Sequence, residues 1–219
     1  MAKTEAFDAH AQRYEAWFAE HSAAYQSELR AVRDLWPQGA EGIEIGAGAG
    51  HFARPLGIRT GVEPSAVMRR GAVKRGIHVV EGTAEQLPFP DKRFEAALMV
   101  TTICFVDDPK SAVREMYRVL RPGGCGVVGF VDRASFLGRE YERKSGSSIF
   151  YKDAQFYTSG EVCALLSEAG FTDLERRQTV FCHPENMQET HRVEAGYGRG
   201  AFVVVRGWKP RGNGSDRAL

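Results

Sequence analysis

Residues 43–50 have the sequence IEIGAGAG, and this pattern sets the architecture expected for the chain. Ile43 and Ile45 indicate a short buried strand, and the three glycines that follow favour a sharp turn. Glycine at a strand end also lets a ligand come close to the main chain. The next predicted strand ends in GVEP at residues 61–64, so Glu63 is expected at the same edge of the sheet as Gly46.

Around this turn, short apolar runs alternate with helical patterns. The predicted strands span residues 42–45, 58–62, 77–80, 96–100, 126–131, 174–181 and 201–206. Strands that alternate with helices predict an α/β fold with a mainly parallel sheet covered by helices on both faces. No long apolar helix pattern joins the last two strands, so the last of the seven is expected to be antiparallel.

Several helices have recognisable ends. Residues 6–36 show helical spacing in two apolar stripes and predict a helical segment at the start of the chain. Asp108 before Pro109 is typical of an N-cap followed by a proline in the first turn. Thr158 and Glu161 predict a capping box for a later helix.

Composition excludes several classes of protein. The chain has 219 residues, 43% of them hydrophobic, which is typical of one globular domain, expected at 1–208 with a flexible tail at 209–219. Lys and Arg number 29 and Asp and Glu 28, so no general attraction to nucleic acid or to an anionic membrane is expected. The apolar run at 94–106 is too short and too polar to cross a bilayer. With no apolar signal region and four cysteines expected as free thiols, the predicted location is the cytoplasm.

The glycine turn and Glu63 together predict a nucleoside ligand. A carboxylate at the tip of the second strand can accept hydrogen bonds from both ribose hydroxyls. The spacing Gly-x-Gly-x-Gly differs from the Gly-x-Gly-x-x-Gly that holds a pyrophosphate. This favours S-adenosylmethionine, which has no phosphate. An NAD(P)-dependent oxidoreductase and a non-catalytic S-adenosylmethionine-binding protein stay open as alternatives.

Four stretches carry a resemblance to a known family: EIGAGAG at 44–50, GVEPS at 61–65, EGTAEQLPF at 81–89 and RVLRPGG at 118–124. From residue 43 to residue 131 the chain resembles the class I methyltransferases, in the branch similar to ubiquinone and menaquinone C-methyltransferases. The whole chain also resembles a group of uncharacterised microbial methyltransferases. The resemblance implies a three-layer Rossmann-like fold with S-adenosylmethionine as cofactor. It also implies a small-molecule acceptor that is methylated by direct displacement.

The same resemblance implies which residues bind the cofactor. They are Gly46, Ala47 and Gly48 at the methionine part, with Gly50 in the same turn, Glu63 at the ribose, Pro64, Ser65 and Met68 beside the adenine, Ala84 and Glu85 at its exocyclic edge, and Thr101 at the amino-acid end. Ordinary core packing is the alternative for Met68, and a solvated loop charge is the alternative for Glu85. Glu44 is expected to have a structural role in the turn.

Acceptor residues are expected from a helical lid at 1–37, from the ends of the fourth and fifth strands, and from a substrate-capping insert at 134–157. The substrate-binding candidates are Trp17, Phe18, Phe105, Tyr141 and Tyr151, and the catalytic candidates are Tyr14 and Asp132. Aromatic rings suit a sulfonium cation, and a base is needed only if the acceptor must lose a proton. For the aromatic residues of the first helix the alternative is plain packing. For Asp132 it is a helix cap or an ion pair with Arg133.

Three features that the sequence lacks limit the range of possible methyl acceptors. The six histidines show no metal-ligand spacing, so no metal is expected. The fourth strand is followed by TTIC at 101–104 and not by the Asn-Pro-Pro-Tyr type of sequence that base-amino methyltransferases use. No RNA-binding appendage is recognisable. The expected partner is therefore a small molecule, with no nucleic acid and no membrane, and the protein is expected to be a monomer or a homodimer.

Overall fold

The computed structural model describes residues 3–211, in which eight strands form one sheet. The strands are β1 (Gly42–Ile45), β2 (Thr60–Val62), β3 (His78–Val80), β4 (Phe94–Val100), β5 (Leu120–Val131), β6 (Thr172–Thr179), β7 (Glu194–Ala195) and β8 (Phe202–Trp208). The helices are α1 (Glu5–Ala9), α2 (Ala11–Glu20), α3 (Ser22–Leu35), α4 (Ala66–Lys74), α5 (Pro109–Val119), α6 (Phe136–Lys144) and α7 (Ser159–Glu168). The strand order across the sheet is β3-β2-β1-β4-β5-β8-β6-β7.

The five strands from β1 to β5 are parallel. β1 lies between β2 and β4 and pairs in parallel with both. β3 and β5 continue the sheet outward in the same direction. The chain thus moves outward from β1 to β3 and returns to β4 on the other side of β1. Ligands of open α/β sheets bind beyond the carboxyl ends of the strands at such a reversal, which is where the glycine turn lies.

The far side of the sheet is antiparallel, which confirms the prediction for the last strand. β8 runs antiparallel to both β5 and β6. The sequence predicts seven strands, whereas the described chain has an eighth, β7, whose two residues pair with Arg177 and Gln178 of β6. Two residues are too few to show the alternation that identifies a strand, so the pattern could not reveal β7.

Helices cover both faces of the sheet and give the three predicted layers. On one face Ile43 and Ile45 of β1 pack in a core that includes buried residues of α5 and α7. On the other face α3 packs against β5, β6 and β8 through residues such as Leu29 and Val32. Residues 96–100 of β4 are buried without a break, as expected of a strand covered on both sides.

The predicted helix caps of α5 and α7 are confirmed. The Asp108 carboxylate accepts hydrogen bonds from the Lys110 and Ser111 amides, with Pro109 in the first turn. Thr158 and Glu161 form the reciprocal capping box at the start of α7. These caps satisfy amide groups that have no partner inside the helix.

The predicted N-terminal helical segment is interrupted twice. The backbone leaves the helical conformation at His10 (φ −123°, ψ 30°) and at His21 (φ −114°, ψ 42°), which separates α1, α2 and α3. Neither residue is a glycine or a proline, so the usual sequence signal for a break is missing. α1 and α2 have no buried residues, whereas α3 has a buried face.

The end of the described chain is anchored at Lys209. Its side chain is buried, and its ammonium group donates hydrogen bonds to the carbonyls of Tyr117 (2.7 Å) and Leu120 (2.8 Å). Residue 209 is therefore packed against the domain, although the predicted tail begins there. Residues 212–219 of that predicted tail lie outside the described residues.

Two further expectations concern free cysteine thiols and membrane-spanning helices. All four cysteines are free, and Cys104, Cys125 and Cys163 are buried whereas Cys182 is half-buried. Within residues 3–211, no helix has both the length and the apolar character that are needed to cross a membrane.

Candidate active site

A cleft of about 450 Å³ opens at the carboxyl ends of β1, β2 and β4, where the strand order reverses. Clefts of roughly 300–1,000 Å³ are typical of small-molecule sites. The predicted cofactor residues that line it are Gly46, Gly48, Glu63, Pro64, Met68, Ala84, Glu85 and Thr101. The structure thus brings together residues from four separate stretches of the sequence.

Gly46 and Gly48 form one wall of the cleft because no side chain would fit there. Their φ angles are +69° and +51°, a region that glycine adopts without strain. A Cβ on Gly46 would lie 2.4 Å from the Thr102 side chain, and one on Gly48 would lie 2.9 Å from the Tyr14 hydroxyl. The side chains of Thr102 and Tyr14 therefore pack directly against the main chain of the turn, which only glycine permits at these two positions.

Ala47 and Gly50 belong to the same turn but do not line the cleft. The Ala47 amide donates a hydrogen bond to the Val62 carbonyl at 3.0 Å, and its side chain is buried. A Cβ on Gly50 would lie 2.3 Å from the Ile77 side chain. Both residues shape the turn from behind the cleft wall, and the cofactor contact expected of them stays a prediction.

Glu63 lies directly beside the glycine turn and lines the same cleft. One carboxylate oxygen accepts a hydrogen bond from the Gly48 amide and the other accepts one from the Ser65 amide, both at 2.9 Å. Burial raises the pKa of Glu63, and the two amide hydrogen bonds oppose that rise. A carboxylate has about four acceptor positions, so Glu63 can still accept hydrogen bonds from a ligand.

Glu44 lies behind the turn, in the predicted structural position. It is 2% exposed, and its Oε2 atom has no hydrogen-bond partner among the described residues. Burial raises the pKa of Glu44 well above its usual range, although the Ala53 amide hydrogen bond opposes that rise. Burial thus favours the neutral form of Glu44.

Pro64, Met68 and Ala84 form an apolar wall of the cleft. Met68 and Ala84 are almost fully buried by the protein itself, so Met68 combines core packing with a position at the cleft. Ser65 is different. Its hydroxyl accepts a hydrogen bond from the Met68 amide as the cap of α4 and donates one to Asp8 at 2.5 Å, and it does not line the cleft.

Glu85 and Thr101 close the cleft beyond β3 and β4. The Glu85 carboxylate accepts a hydrogen bond from the Asp107 amide at 2.8 Å, so it also holds the loop that follows β4. Thr101 has a φ angle of +48°, an uncommon conformation for a β-branched residue. Strained residues of this kind are concentrated at functional sites.

The N-terminal segment covers the cleft. Tyr14 of α2 lines it, as do Lys3, Thr4 and Phe7. Burial, together with the nearby charges of Glu63, Glu44 and Glu15, raises the pKa of Tyr14 far above its usual range. Tyr14 therefore keeps its proton and can donate a hydrogen bond, but it is unsuited to act as a base.

Trp17 and Phe18 do not reach the cleft, although both were predicted to bind substrate. Trp17 stacks on His21, and Phe18 stacks on His51 with ring centroids 3.6 Å apart. Both aromatic side chains are used for packing between α2, α3 and the glycine turn. This is the alternative that the sequence left open for them.

A polar cluster fixes α2 next to the glycine turn. The Glu15 carboxylate accepts a hydrogen bond from Arg75 at 2.6 Å and lies 3.1 Å from Nε2 of the His51 ring. Arg75 also donates to the Ala49 carbonyl in the turn. Burial and Arg75 lower the pKa of His51, so this ring is predominantly neutral at pH 7. The cluster joins the lid to the cofactor side.

Aromatic residues of the segment 134–157 stack towards the cleft. Tyr141 of α6 stacks on Tyr151 with centroids 4.9 Å apart, and Tyr151 stacks on Phe105 at 6.0 Å. Of these three rings only Phe105 lines the cleft. The Phe7 ring contacts the rings of Phe105 and Phe150, with centroids 5.2 and 5.4 Å apart. The N-terminal segment and the segment 134–157 therefore meet at these rings.

Asp132 does not line the cleft, contrary to its predicted catalytic role. It is 3% exposed, and its carboxylate accepts hydrogen bonds from the Ala134 amide and from the amide and hydroxyl of Ser159. Arg133 pairs with Glu161 instead. Asp132 therefore joins the end of β5 to the start of α7, which is a capping role.

Comparison with known proteins supports this geometry. Residues 43–128 match the family model of the methyltransferase domain. The crystal structure of an S-adenosylmethionine-dependent methyltransferase of Thermotoga maritima, named as a possible histamine N-methyltransferase, matches with a TM-score of 0.92 and 52% identity, over 94% of this chain and 99% of that one. The chain belongs to the S-adenosylmethionine-dependent methyltransferases.

Of two other relatives of this methyltransferase, one is uncharacterised and the other is named for its substrate. An uncharacterised protein of Methanocaldococcus jannaschii is 42% identical over 91% of this chain and 96% of its own length. The 2-methyl-6-phytyl-1,4-hydroquinone methyltransferase 2 of Oryza sativa is 28% identical over 66% of this chain and 42% of its own length. Family membership decides against the nicotinamide-dependent alternative.

Sequence reasoning missed several residues of the methyltransferase cleft, namely Lys3, Thr4, Phe7, Gly82, Thr83, Val100, Thr102 and Val106 to Asp108. Phe7 was the one with a usable signal, since it opens the apolar stripe of the N-terminal segment. In residues 3–211, no group of three His, Cys, Asp or Glu side chains is placed to hold a metal ion.

Proposed function

We propose that this methyltransferase binds S-adenosylmethionine in the cleft and transfers its methyl group to a small organic acceptor. One observation carries the proposal: the Glu63 carboxylate and the main chain of Gly46 and Gly48 lie side by side in the lining of a single cleft. A carboxylate next to a glycine turn at the strand ends suits a nucleoside with an amino-acid arm. The remaining acceptor capacity of Glu63 suits the ribose hydroxyls.

Other residues of the chain fit the rest of the cofactor. Pro64, Met68 and Ala84 offer apolar surface for the adenine ring, and Gly46 and Gly48 line the part of the cleft that suits the methionine part. When bound, the cofactor supplies an electrophilic methyl group on a sulfonium. Its charge suits the rings of Tyr14 and Phe105, because cation–π contacts contribute roughly 0.5–2 kcal/mol in a dry site.

The lid positions the acceptor and keeps water out of the reaction. Direct displacement needs the nucleophile in line with the methyl group, and such alignment supplies roughly 7–11 kcal/mol. Phe7 and Phe105 close the cleft by an edge contact, with centroids 5.2 Å apart. Tyr14 contributes a hydroxyl that stays protonated and can orient the acceptor.

Calorimetry with S-adenosylhomocysteine tests the cofactor site. Glu63→Gln keeps the shape of the side chain but removes the charge, and Glu63→Ala removes the acceptors, so we expect affinity to fall about tenfold and about a hundredfold. Glu81→Gln is the matched control, because Glu81 is an exposed carboxylate that pairs with Arg69. Unchanged affinity in Glu63→Ala, with thermal unfolding checked in parallel, would refute the assignment.

Turnover with methyl-labelled cofactor tests the transfer itself. We expect label to enter a component of a cell metabolite pool. Label that stays entirely in the cofactor would favour a non-catalytic binding protein. The named relatives have unlike acceptors in their names, an amine and a quinol, so the acceptor class has to come from the residues of this chain.

A further inference from the structure

A second cavity, of about 320 Å³, lies outside the cleft and shares no lining residue with it. Its lining comes from Tyr25 of α3, from Gly50 and His51 at the end of the glycine turn, from the short 3-10 helix Arg54–Leu56, and from Arg75 after α4. Two arginines and a histidine line it, and within residues 3–211 no carboxylate does. Its volume is typical of a small-molecule site, and the proposed methyl transfer does not use it.

Arg54 lines this cavity without a counterion. Its guanidinium group donates a hydrogen bond to the Arg75 carbonyl at 2.8 Å, which joins two lining residues and orders the Arg54 side chain. Within residues 3–211 this is the only hydrogen bond of that side chain, and it forms no ion pair. A guanidinium group has five N–H donors, so most of those of Arg54 are left for a ligand.

Arg33 of α3 lies at the rim of the same cavity. Its guanidinium group donates a hydrogen bond to the carbonyl of Pro55, a lining residue, at 3.3 Å. Arg33 is exposed, and in the part of the chain that the structure describes it forms no ion pair. Two arginines from different elements, each tied to a main-chain carbonyl, therefore meet at one cavity without a carboxylate partner.

The charges around the cavity sum to an excess of positive charge. Arg75 adds a third guanidinium group, and the Glu15 carboxylate pairs with it at 2.6 Å. Two further carboxyl groups, Glu28 and Glu44, act on the lining residue Tyr25. Burial raises the pKa of both, which favours their neutral forms at pH 7. Three guanidinium groups thus face one carboxylate.

The cleft has the opposite character. Four acidic residues line it, namely Glu63, Glu85, Asp107 and Asp108, and Lys3 is its only basic lining residue within residues 3–211. An anion is therefore attracted to the second cavity and not to the cleft. The two cavities are suited to different ligands.

We propose that the second cavity binds a phosphate group through Arg33, Arg54 and Arg75, as a ligand site separate from the cleft. The planar fork of a guanidinium group pairs with two phosphate oxygens at once. A phosphomonoester carries a charge of about −1.5 to −2 at pH 7, so it would supply the missing counterion. The proposal does not depend on the methyl acceptor, because no residue of the cleft takes part.

Calorimetry with phosphates tests the proposal. The probes are inorganic phosphate, phenyl phosphate and phosphoserine, and the two monoesters are paired with phenol and serine. We expect each monoester to bind at least about tenfold more tightly than its unphosphorylated partner. Monoesters that bind more tightly than inorganic phosphate would identify an organic phosphate as the ligand, whereas equal affinities would identify free phosphate.

Variants of the two unpaired arginines show where the phosphate binds. Arg54→Ala and Arg33→Ala should each weaken phosphate binding about five- to tenfold, and Arg54→Lys, which keeps the charge but loses the fork, should have a smaller effect. Arg70→Ala is the matched control, because Arg70 is an exposed arginine that lines neither cavity. Its phosphate affinity should be unchanged. Thermal unfolding shows whether each variant is folded.

Saturation with S-adenosylhomocysteine separates the two cavities. We expect it to leave phosphate affinity unchanged, because the cavities share no lining residue. Displacement of phosphate by S-adenosylhomocysteine would place the anion in the cleft and overturn the inference. Absence of phosphate binding to the unmodified protein, unchanged affinity in both Arg54→Ala and Arg33→Ala, or an equal loss in Arg70→Ala would overturn it as well.

Discussion

The cofactor side and the acceptor side of the cleft are assembled in different ways. On the cofactor side, Gly46, Gly48 and Glu63 follow the neighbouring strands β1 and β2, which are joined by a connection with a short 3-10 helix, Arg54–Leu56. On the acceptor side, Phe7 meets Phe105 and Phe150 from far along the chain. Strand pairing holds the first group, whereas side-chain packing holds the second. We therefore expect changes on the cofactor side to abolish binding, and changes on the acceptor side to have graded effects.

Gly46→Val should have the largest effect. A Cβ at this position would lie 2.4 Å from the Thr102 side chain, and φ is +69°. A left-handed conformation costs a non-glycine residue roughly 1–2 kcal/mol, and the clash adds to that cost. We expect affinity for S-adenosylhomocysteine, measured by calorimetry, to fall more than about a hundredfold.

Gly39→Ala separates the effect of backbone strain from the effect of the steric clash. Gly39 has a φ angle of +76°, but a Cβ there would meet nothing within 4 Å. This variant should lose some stability and keep its cofactor-product affinity. Equal loss of affinity in both variants would show that backbone strain, and not the shape of the cleft wall, controls binding.

Asp132→Ala should reduce stability, not chemistry. It leaves the buried amide and hydroxyl of Ser159 and the amide of Ala134 without their acceptor, so we expect the free energy of unfolding in urea to fall by about 2–4 kcal/mol. Turnover per folded molecule should be unchanged. A large loss of turnover with normal stability would restore Asp132 as the base that the sequence suggested.

Tyr151→Leu should impair the acceptor side alone. It removes the stacks on Tyr141 and Phe105, and an aromatic pair contributes about 0.5–1.5 kcal/mol. We expect the KM for the acceptor to rise about five- to tenfold, with unchanged affinity for S-adenosylhomocysteine. Tyr197→Leu, which changes a tyrosine that is 54% exposed, should alter neither quantity.

Arg75→Ala should have the smallest effect. It breaks a partly exposed ion pair with Glu15, and such pairs contribute about 0.2–1 kcal/mol. We expect amides of α2 to exchange with deuterium up to about fivefold faster, with no change in α3. Arg70→Ala, an exposed arginine of α4, should leave exchange in α2 unaltered.

Most of the fold could be predicted because its signals are local. The apolar runs identified the strands, and Asp108 and Thr158 identified two helix starts from a few adjacent residues. β7 and the breaks at His10 and His21 could not be predicted in this way. Their conformations depend on the surfaces they pack against, which no short stretch of sequence records.

The residues of the site also fall into those that the sequence could place and those that it could not. Glu63 could be placed from its position after a strand, since the ends of parallel strands meet at one edge of a sheet. For Asp132, Trp17 and Phe18 the sequence left two roles open, because residue type alone does not show which neighbours use their polar or aromatic groups. The burial of Glu28 on α3 could not be predicted either, because nothing in the sequence around it differs from that of a surface glutamate.

Phe7 lines the cleft beside the glycine turn and also contacts Phe105 and Phe150. In the proposed reaction, this short helix with no buried residues would thus cover the entrances of both ligands. An acceptor bound beneath α1 would keep this helix closed over the cleft. The closed helix would block release of the cofactor product. Steady-state kinetics should accordingly show a compulsory order, in which the nucleoside enters first and leaves last.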